Sequence, residues 1–575
     1  MSSTYVHYGT PSSLPSDYAV LAQYAAARSN ANQEPDEDND HDNETGETQT
    51  LLAQQSRRTS FPGGYLRPPK MSLGSAPEGI LPNAVNETSP LIPRIPEEVD
   101  EAEVNVSQPV PVHALAEEIK ILAKYTLPVF GTHALEYSLV IASVVSIGHL
   151  STTALAASTL GSMTASVTGL SIIQGFTSTL DTMLPGAWTG RQPNLVGLWS
   201  QRMAVVMAAT LIPILVIWFN AESILLALKQ DSDVARLAAL YLKYLSLGLP
   251  AYAFNCISRR YFQSQGLFAV PTRIIIVVAP INALLNWLLV WGPKPVRLGF
   301  IGAPIASAIS FNLISLASII YGAFFVPHTA WHPLSMRMFA NLGILVQLGL
   351  AGVGQVASEW WSWELVGREF LGPSVLATQS VLLVSASSTY QIPFSLSVAT
   401  SVRIGNLLGE QNGKRASVVA KAALILSLIF GAFNSALFMV FRRNWGRLFN
   451  DDLEVITMVA SILPLVALFQ VFDGLSAVTA GILRAQGKQF TGAMLNLSAY
   501  YIIGIPFGIW LSFRKDMGLE GLWIGLTVSL IYASVFGVWL CLRTDWAKEV
   551  QKVQKRVEED HKHGQEHAAG VHAHV

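Results

Sequence analysis

From about residue 115 onward the chain alternates long apolar runs with short polar breaks, whereas almost everything before that point is polar. A helix needs about 20 apolar residues to cross a hydrocarbon core ~30 Å thick. Twelve runs approach or exceed that length, over 121–148, 155–186, 202–219, 236–257, 270–291, 300–325, 342–366, 375–402, 418–440, 454–481, 493–513 and 520–542. Many carry Gly, Ser or Pro inside them, as at Pro213, Pro250, Pro280, Pro393, Pro464 and Pro506. Membrane helices tolerate these because neighbouring helices and waters satisfy the freed backbone groups. The pattern predicts an all-α membrane protein of twelve transmembrane helices.

Three short sequences recur at nearly one spacing. Leu155-Ala156 returns as Leu376-Ala377, Gln265-Gly266 as Gln486-Gly487, and Gly299-Phe-Ile-Gly302 as Gly518-Leu-Glu-Gly521. Each pair holds the same place relative to its apolar runs, which predicts a duplicated six-helix unit. Six crossings return the chain to its starting side, so the halves share polarity. Their symmetry axis then lies along the membrane normal, with a shared cavity between two pseudo-symmetric six-helix bundles.

The polar ends complete the division. Residues 1–115 form an acidic, Ser- and Pro-rich stretch that buries too little apolar surface to order itself, and is expected to be a disordered cytosolic tail. It shows no basic leader or cleavage-like ending. Within it, Glu87-Thr-Ser-Pro-Leu91-Ile92 resembles an acidic dileucine sorting signal of the kind that directs membrane proteins to vacuoles or lysosomes, a short pattern that chance also produces, so a vacuolar or a plasma membrane is expected. Lys and Arg are spread almost evenly over the loops of the two sides, so the orientation rests on the tail. The remaining divisions are a first bundle at 116–326, a second at 327–545, and a charged, His-rich cytosolic tail at 546–575. The histidines at 561, 563, 567, 572 and 574 are better explained as solvated tail than as a metal site.

Composition sharpens the class. The chain is 51% hydrophobic and only 13% charged, with a net charge of -2, which argues against nucleic acid as a partner. Cys256 and Cys541 both sit in apolar runs and offer no disulfide or zinc framework. No Gly-x-x-x-x-Gly-Lys-Ser/Thr sequence or nucleophile–base spacing occurs, so neither an ATP-driven pump nor an enzyme is expected, and no cofactor.

Five acids fall inside apolar runs: Glu136, Asp181, Glu359, Glu364 and Asp473. An ionised carboxylate at the bilayer centre costs about 2.5–3.5 kcal/mol on insertion scales, so each calls for a use. A carboxyl in an apolar cavity becomes a proton-binding group near neutral pH, and a pair of them can hold sodium instead. In Glu359-Trp-Trp-Ser-Trp-Glu364 the acids stand ~140° apart on a helix, Glu359 sharing a face with Trp363 and Glu364 with Trp360. Acid beside indole suits a cation. A helix end with an interfacial tryptophan belt is the plain alternative. Asp473 sits mid-run before Gly474, with Arg484 about three turns along the same face. Asp181 and Arg403 occupy matching ends of the second and eighth runs, where gating or loop anchoring is expected. Glu136 is either a proton site or a hydrogen-bonded structural acid.

At these residues the chain resembles the multidrug and toxic compound extrusion (MATE) family, in its eukaryotic, fungal-type branch. Leu180-Asp-Thr-Met, Ile392-Pro-Phe-Ser-Leu-Ser-Val-Ala-Thr-Ser-Val-Arg-Ile-Gly-Asn-Leu-Leu-Gly409, the Glu359–Glu364 run, Asp473-Gly, Gly481-Ile-Leu-Arg-Ala-Gln-Gly487 and Ala499-Tyr-Tyr-Ile-Ile-Gly-Ile-Pro506 carry the resemblance. Pro185-Gly-Ala-Trp188 departs from the Gly-Gln that follows the Leu-Asp-Thr sequence in many members. The resemblance implies two six-helix bundles that export organic, often cationic compounds in exchange for protons, or less readily sodium. It also implies that Glu359, Glu364 and Asp473 bind cation and substrate. The chain is expected to act as a monomer. The alternatives are a carrier of one metabolite or lipid precursor, and a receptor or scaffold worked by the tail.

Overall fold

The computed structural model describes residues 112–556 and 558, apart from 149, 191, 367–372, 450 and 451; of 112, 152, 359, 360, 362–366, 373, 374, 376 and 377 it describes the backbone alone. The N-terminal tail with its dileucine-like sequence, and the histidines from 561 on, lie outside the described residues.

Among the described residues the chain is helical and holds no strand. The first half comprises α1 (Val112–Gly148), α2 (Thr153–Thr189), α3 (Leu195–Phe219), α4 (Ser232–Ser264), α5 (Ala269–Trp291) and α6 (Gly302–Phe325). The second comprises α7 (Leu342–Val366), α8 (Pro373–Gly409), α9 (Gly413–Phe441), α10 (Leu453–Ala485), α11 (Gln489–Arg514) and α12 (Gly518–Leu542). Eleven of these are long and apolar enough to cross a membrane, and α7 contributes a shorter apolar stretch, Leu342–Ser358. We call the end where α1 begins the tail side; with alternating crossings, the even-numbered helices finish there.

Several helices extend well past their apolar runs. The fourth run, expected at 236–257, belongs to a helix reaching Ser264, and α1 starts at Val112 rather than near 121. Hydropathy marks the membrane crossing only, and these polar ends stay helical because they pack on protein. The boundary at 545 also shifts: residues 546–556 form a further helix, α13, with Val553 and Glu549 buried, so the expected solvated tail begins after a docked element.

The contacts across the boundary between halves come chiefly from α1 and α2. The first part of α1 packs on α8 and α9, and α2 lies along α7 and α8. In lipid the hydrophobic effect does not drive helices together, so close backbone approach through small residues carries the packing. Gly175 of α2 and Gly352 of α7 meet backbone to backbone with no room for a Cβ on either. The connection between halves is pinned to α3. Arg202 lies 4.4 Å over the Trp199 ring and donates to the Arg337 carbonyl, while Gln201 donates to the His332 carbonyl. The outward faces carry exposed apolar side chains such as Val277, Leu284, Leu316 and Phe433, as a lipid-facing surface requires.

Among the described residues two helices contain π-helical stretches. A π-helical stretch interrupts α2 at Ser166–Leu170 and α11 at Ser498–Gly504. Such bulges free backbone groups and are frequent at functional sites.

Candidate functional site

Among the described residues of the first half, one charged cluster centres on Glu136. His133 and Glu136 are three residues apart on α1, so they share a face. The Glu136 carboxylate pairs with the Arg259 guanidinium of α4 and lies 3.1 Å from His133 Nδ1. Nearby on α4, Tyr252 accepts a 2.9 Å hydrogen bond from Gln174 of α2. The second half reaches this cluster through Phe394 of α8, whose ring meets the His133 imidazole edge-on at 4.9 Å. Glu136 is thus an ion-paired acid whose side chain keeps 30% accessibility.

Arg259 and Arg260 divide their work because consecutive helical residues point about 100° apart. Arg259 turns to α1, whereas Arg260 Nε reaches Asp181 of α2 at 3.0 Å. Asp181 is 5% exposed and also faces Arg484 Nε of α10 at 3.5 Å. The other guanidinium arm of Arg484 donates to Ser397 of α8 at 2.8 Å. One carboxylate therefore joins an arginine of its own half to an arginine of the other.

The end of α2 is held on several sides by the second half. Thr182 donates to the Arg484 carbonyl, and Gln489 at the start of α11 donates to Ser178 and Thr182. Further along, Thr189 donates to the Asn406 carbonyl at 2.6 Å, and a Cβ on Gly405 or Gly409 would collide with Pro185 or Gly186. Small residues on α8 thus let the end of α2 lie in direct contact. A second ion cluster closes the same side. Arg403 of α8 donates to both oxygens of Glu118 on α1, at 3.1 and 2.8 Å, and Arg415 of α9 pairs with Glu118 and Glu117. Glu118 and Arg403 are both almost fully buried.

In the second half, Asp473 is 6% exposed within α10, and Gly474 beside it packs against Ser427 and Pro393. The side chains of Glu359, Trp360, Trp363 and Glu364 lie outside the described residues; their backbone is helical in α7. Trp361 of the same run is described, and its indole donates to the Val167 carbonyl at 3.2 Å, within the π stretch of α2. In α11 the Tyr501 hydroxyl, also in a π stretch, is buried without a hydrogen-bond partner.

The structure brings together Asp181 and Arg484, places Arg403 in a separate cluster on the same side, and sets Glu136 apart from all three. Sequence reasoning missed Glu118, His133, Arg259, Arg260 and Arg415. The two arginines at 259–260 lie just beyond the predicted fourth run, which ended at 257.

Paired helical halves with buried ion pairs across their boundary define a polytopic membrane transporter. The MatE family model matches residues 128–288 and 356–510, one stretch in each half. An uncharacterized transporter of Schizosaccharomyces pombe is 35% identical, covering 78% of this chain and 84% of that protein. Protein DETOXIFICATION 16 of Arabidopsis thaliana is 31% identical over 77% of this chain and 92% of its own length. Human multidrug and toxin extrusion protein 1 is 30% identical over 79% of each. The crystal structure of the eukaryotic MATE transporter AtDTX14 superposes with a TM-score of 0.73 at 31% identity, covering 77% of this chain and all of that one. The chain belongs to the MATE family of membrane transporters.

Proposed function

We propose that this chain is a secondary active antiporter that exports organic, often cationic compounds in exchange for protons. The observation that carries the reading is the placing of acids inside apolar helices of both halves, Glu136 in α1 and Asp473 in α10. A carboxylate in such a helix can exchange its partner, Arg259 in the case of Glu136, for a cation or a proton, and one excludes the other. Transport requires the site to open to each side in turn. The tail-side ion pairs of Asp181 and Glu118, both reaching across the halves, are the contacts that opening toward that side must break.

In this cycle the compound enters from the tail side, taken to be cytosolic, while the acids are ionised. Protonation from the far side releases it, and the halves rock about their boundary. Glu359, Glu364 and Asp473 hold the cation with Trp360 and Trp363, and Asp181, Arg403 and Arg484 form the gate. Sodium is the less favoured coupling ion, and a monomer in the vacuolar or plasma membrane is the expected form.

Arg259 supports a narrower second reading. A guanidinium beside Glu136 offers a partner for an acidic group, which suits a zwitterionic metabolite better than a simple cation. Uptake into proteoliposomes of a cationic dye panel and a zwitterion panel, under an imposed pH or sodium gradient, separates the readings. Dye movement driven by pH supports the first, and zwitterion movement alone the second.

A further inference from the structure

The helix α13 follows α12 after a short turn and doubles back onto the tail side. Its apolar residues Trp546, Val550 and Val553 recur at helical spacing and form one face. Trp546 and Val550 pack against the apolar cluster of α8 and α9 and border Gly413, where α9 begins. Glu549 is only 4% exposed, and its carboxylate pairs at 3.0 Å with Lys488 in the α10–α11 turn and with Lys552 one turn on. Acids of a solvated tail have no reason to be buried, so this pair marks a built dock.

The same face of α13 also touches the first half. Val553 is 9% exposed and stands over Gly186 of α2, where a Cβ would lie 3.0 Å from it. Arg556 closes over Gly487, and Thr182 of α2 approaches the same glycine. The end of α2 therefore sits in a socket with α8 on one side, the α10–α11 turn on another, and α13 across the mouth. Anchorage is unequal: the Glu549–Lys488 ion pair and the apolar face of Trp546, Val550 and Val553 hold α13 to the second half, while its contact with α2 runs through Val553.

We propose that α13 is a strap that holds the end of α2 in its socket, and that its release favours opening of the tail side. The proposal rests on the alternating-access reading above, because only a moving α2 gives a strap something to restrain. Val553 and Glu549 then set the balance between closed and open forms without touching the transported compound.

The test uses the full chain reconstituted in lipid, with Cys256 and Cys541 changed to Ala and spin labels on cysteines at Asn194 and Lys414. Both positions are exposed, in the α2–α3 turn and at the start of α9. Pulsed electron resonance between the labels reports whether the two halves are apart on the tail side. Two variants probe the strap: Glu549→Lys, which sets three lysines together, and a chain ended after Asp545. Each is expected to raise the long-distance fraction at least threefold. If the full chain shows both distances and the shortened chain shows the same proportions, the strap is overturned and the transport reading stands. If the full chain and the shortened chain both show only the short distance at every pH tried, alternating access fails, and the strap with it.

Discussion

Asp181 of α2 and Arg484 of α10 face one another at 3.5 Å across the boundary between the halves, and the same carboxylate meets Arg260 of its own half at 3.0 Å. One acid thus serves two arginines. Removing the acid leaves two guanidiniums in a poorly solvated place, whereas removing Arg484 leaves Asp181 still paired.

The two substitutions should therefore differ. Asp181→Asn is expected to cost about 3–5 kcal/mol, as breaking a buried pair does. Arg484→Gln should cost well under half of that. Thermal unfolding of the purified variants in detergent measures both, and equal losses would show that the Arg260 contact does not matter.

Glu118 stands in the same relation to Arg403 and Arg415. Glu118→Gln is expected to lower the midpoint sharply, while Arg415→Gln, at a partly exposed arginine, should change stability by about 0–1 kcal/mol. Deletion offers a second view. Removing residues 1–111 should leave a stable, transporting core, and removing residues 1–120 should not, because Glu118 goes with them. Comparable abundance of the two truncated chains would contradict this.

The cluster in the first half gives a third test. Glu136→Gln leaves Arg259 without its carboxylate and should reduce the folded protein recovered from membranes several-fold. Adding Arg259→Gln removes the stranded charge and should restore abundance, since the cost of breaking such a pair comes mainly from the charge left without its partner. Transport should stay impaired in the double variant. Fluorescence-detected size exclusion gives the abundance, and a double variant no better recovered than Glu136→Gln would argue against a simple ion pair.

Much of this was legible in the sequence, for identifiable reasons. Apolar length located the membrane helices, and the recurring Gln265-Gly266 and Gln486-Gly487 marked matching turns at the ends of α4 and α10. Asp181 and Arg403 stood out as charges at the ends of apolar runs. Their partners did not. Glu118 and Arg403 are 285 positions apart, and nothing local announces such a contact. Arg259 and Arg260 fell just outside their run because hydropathy cannot tell a solvated helix end from one packed on protein. The strap was hidden for a similar reason: Trp546, Val550 and Val553 form a face only once the segment is helical, and lysines and glutamates surround them.

Asp473 carries the sharpest functional expectation among the described acids. Asp473→Asn should leave the protein as abundant and as well folded as the parent while reducing export at least tenfold. Reduced abundance in step with reduced export would instead assign Asp473 to holding α10 together near Gly474.

The central claim, exchange of an organic cation for protons, is tested most directly in proteoliposomes loaded with a cationic dye and given a pH gradient in the absence of sodium. The account predicts dye movement against its own gradient, driven by protons moving the opposite way, and its loss in Asp473→Asn at equal protein content. Dye movement that ignores the pH gradient, or that appears only when a sodium gradient replaces it, would contradict proton exchange.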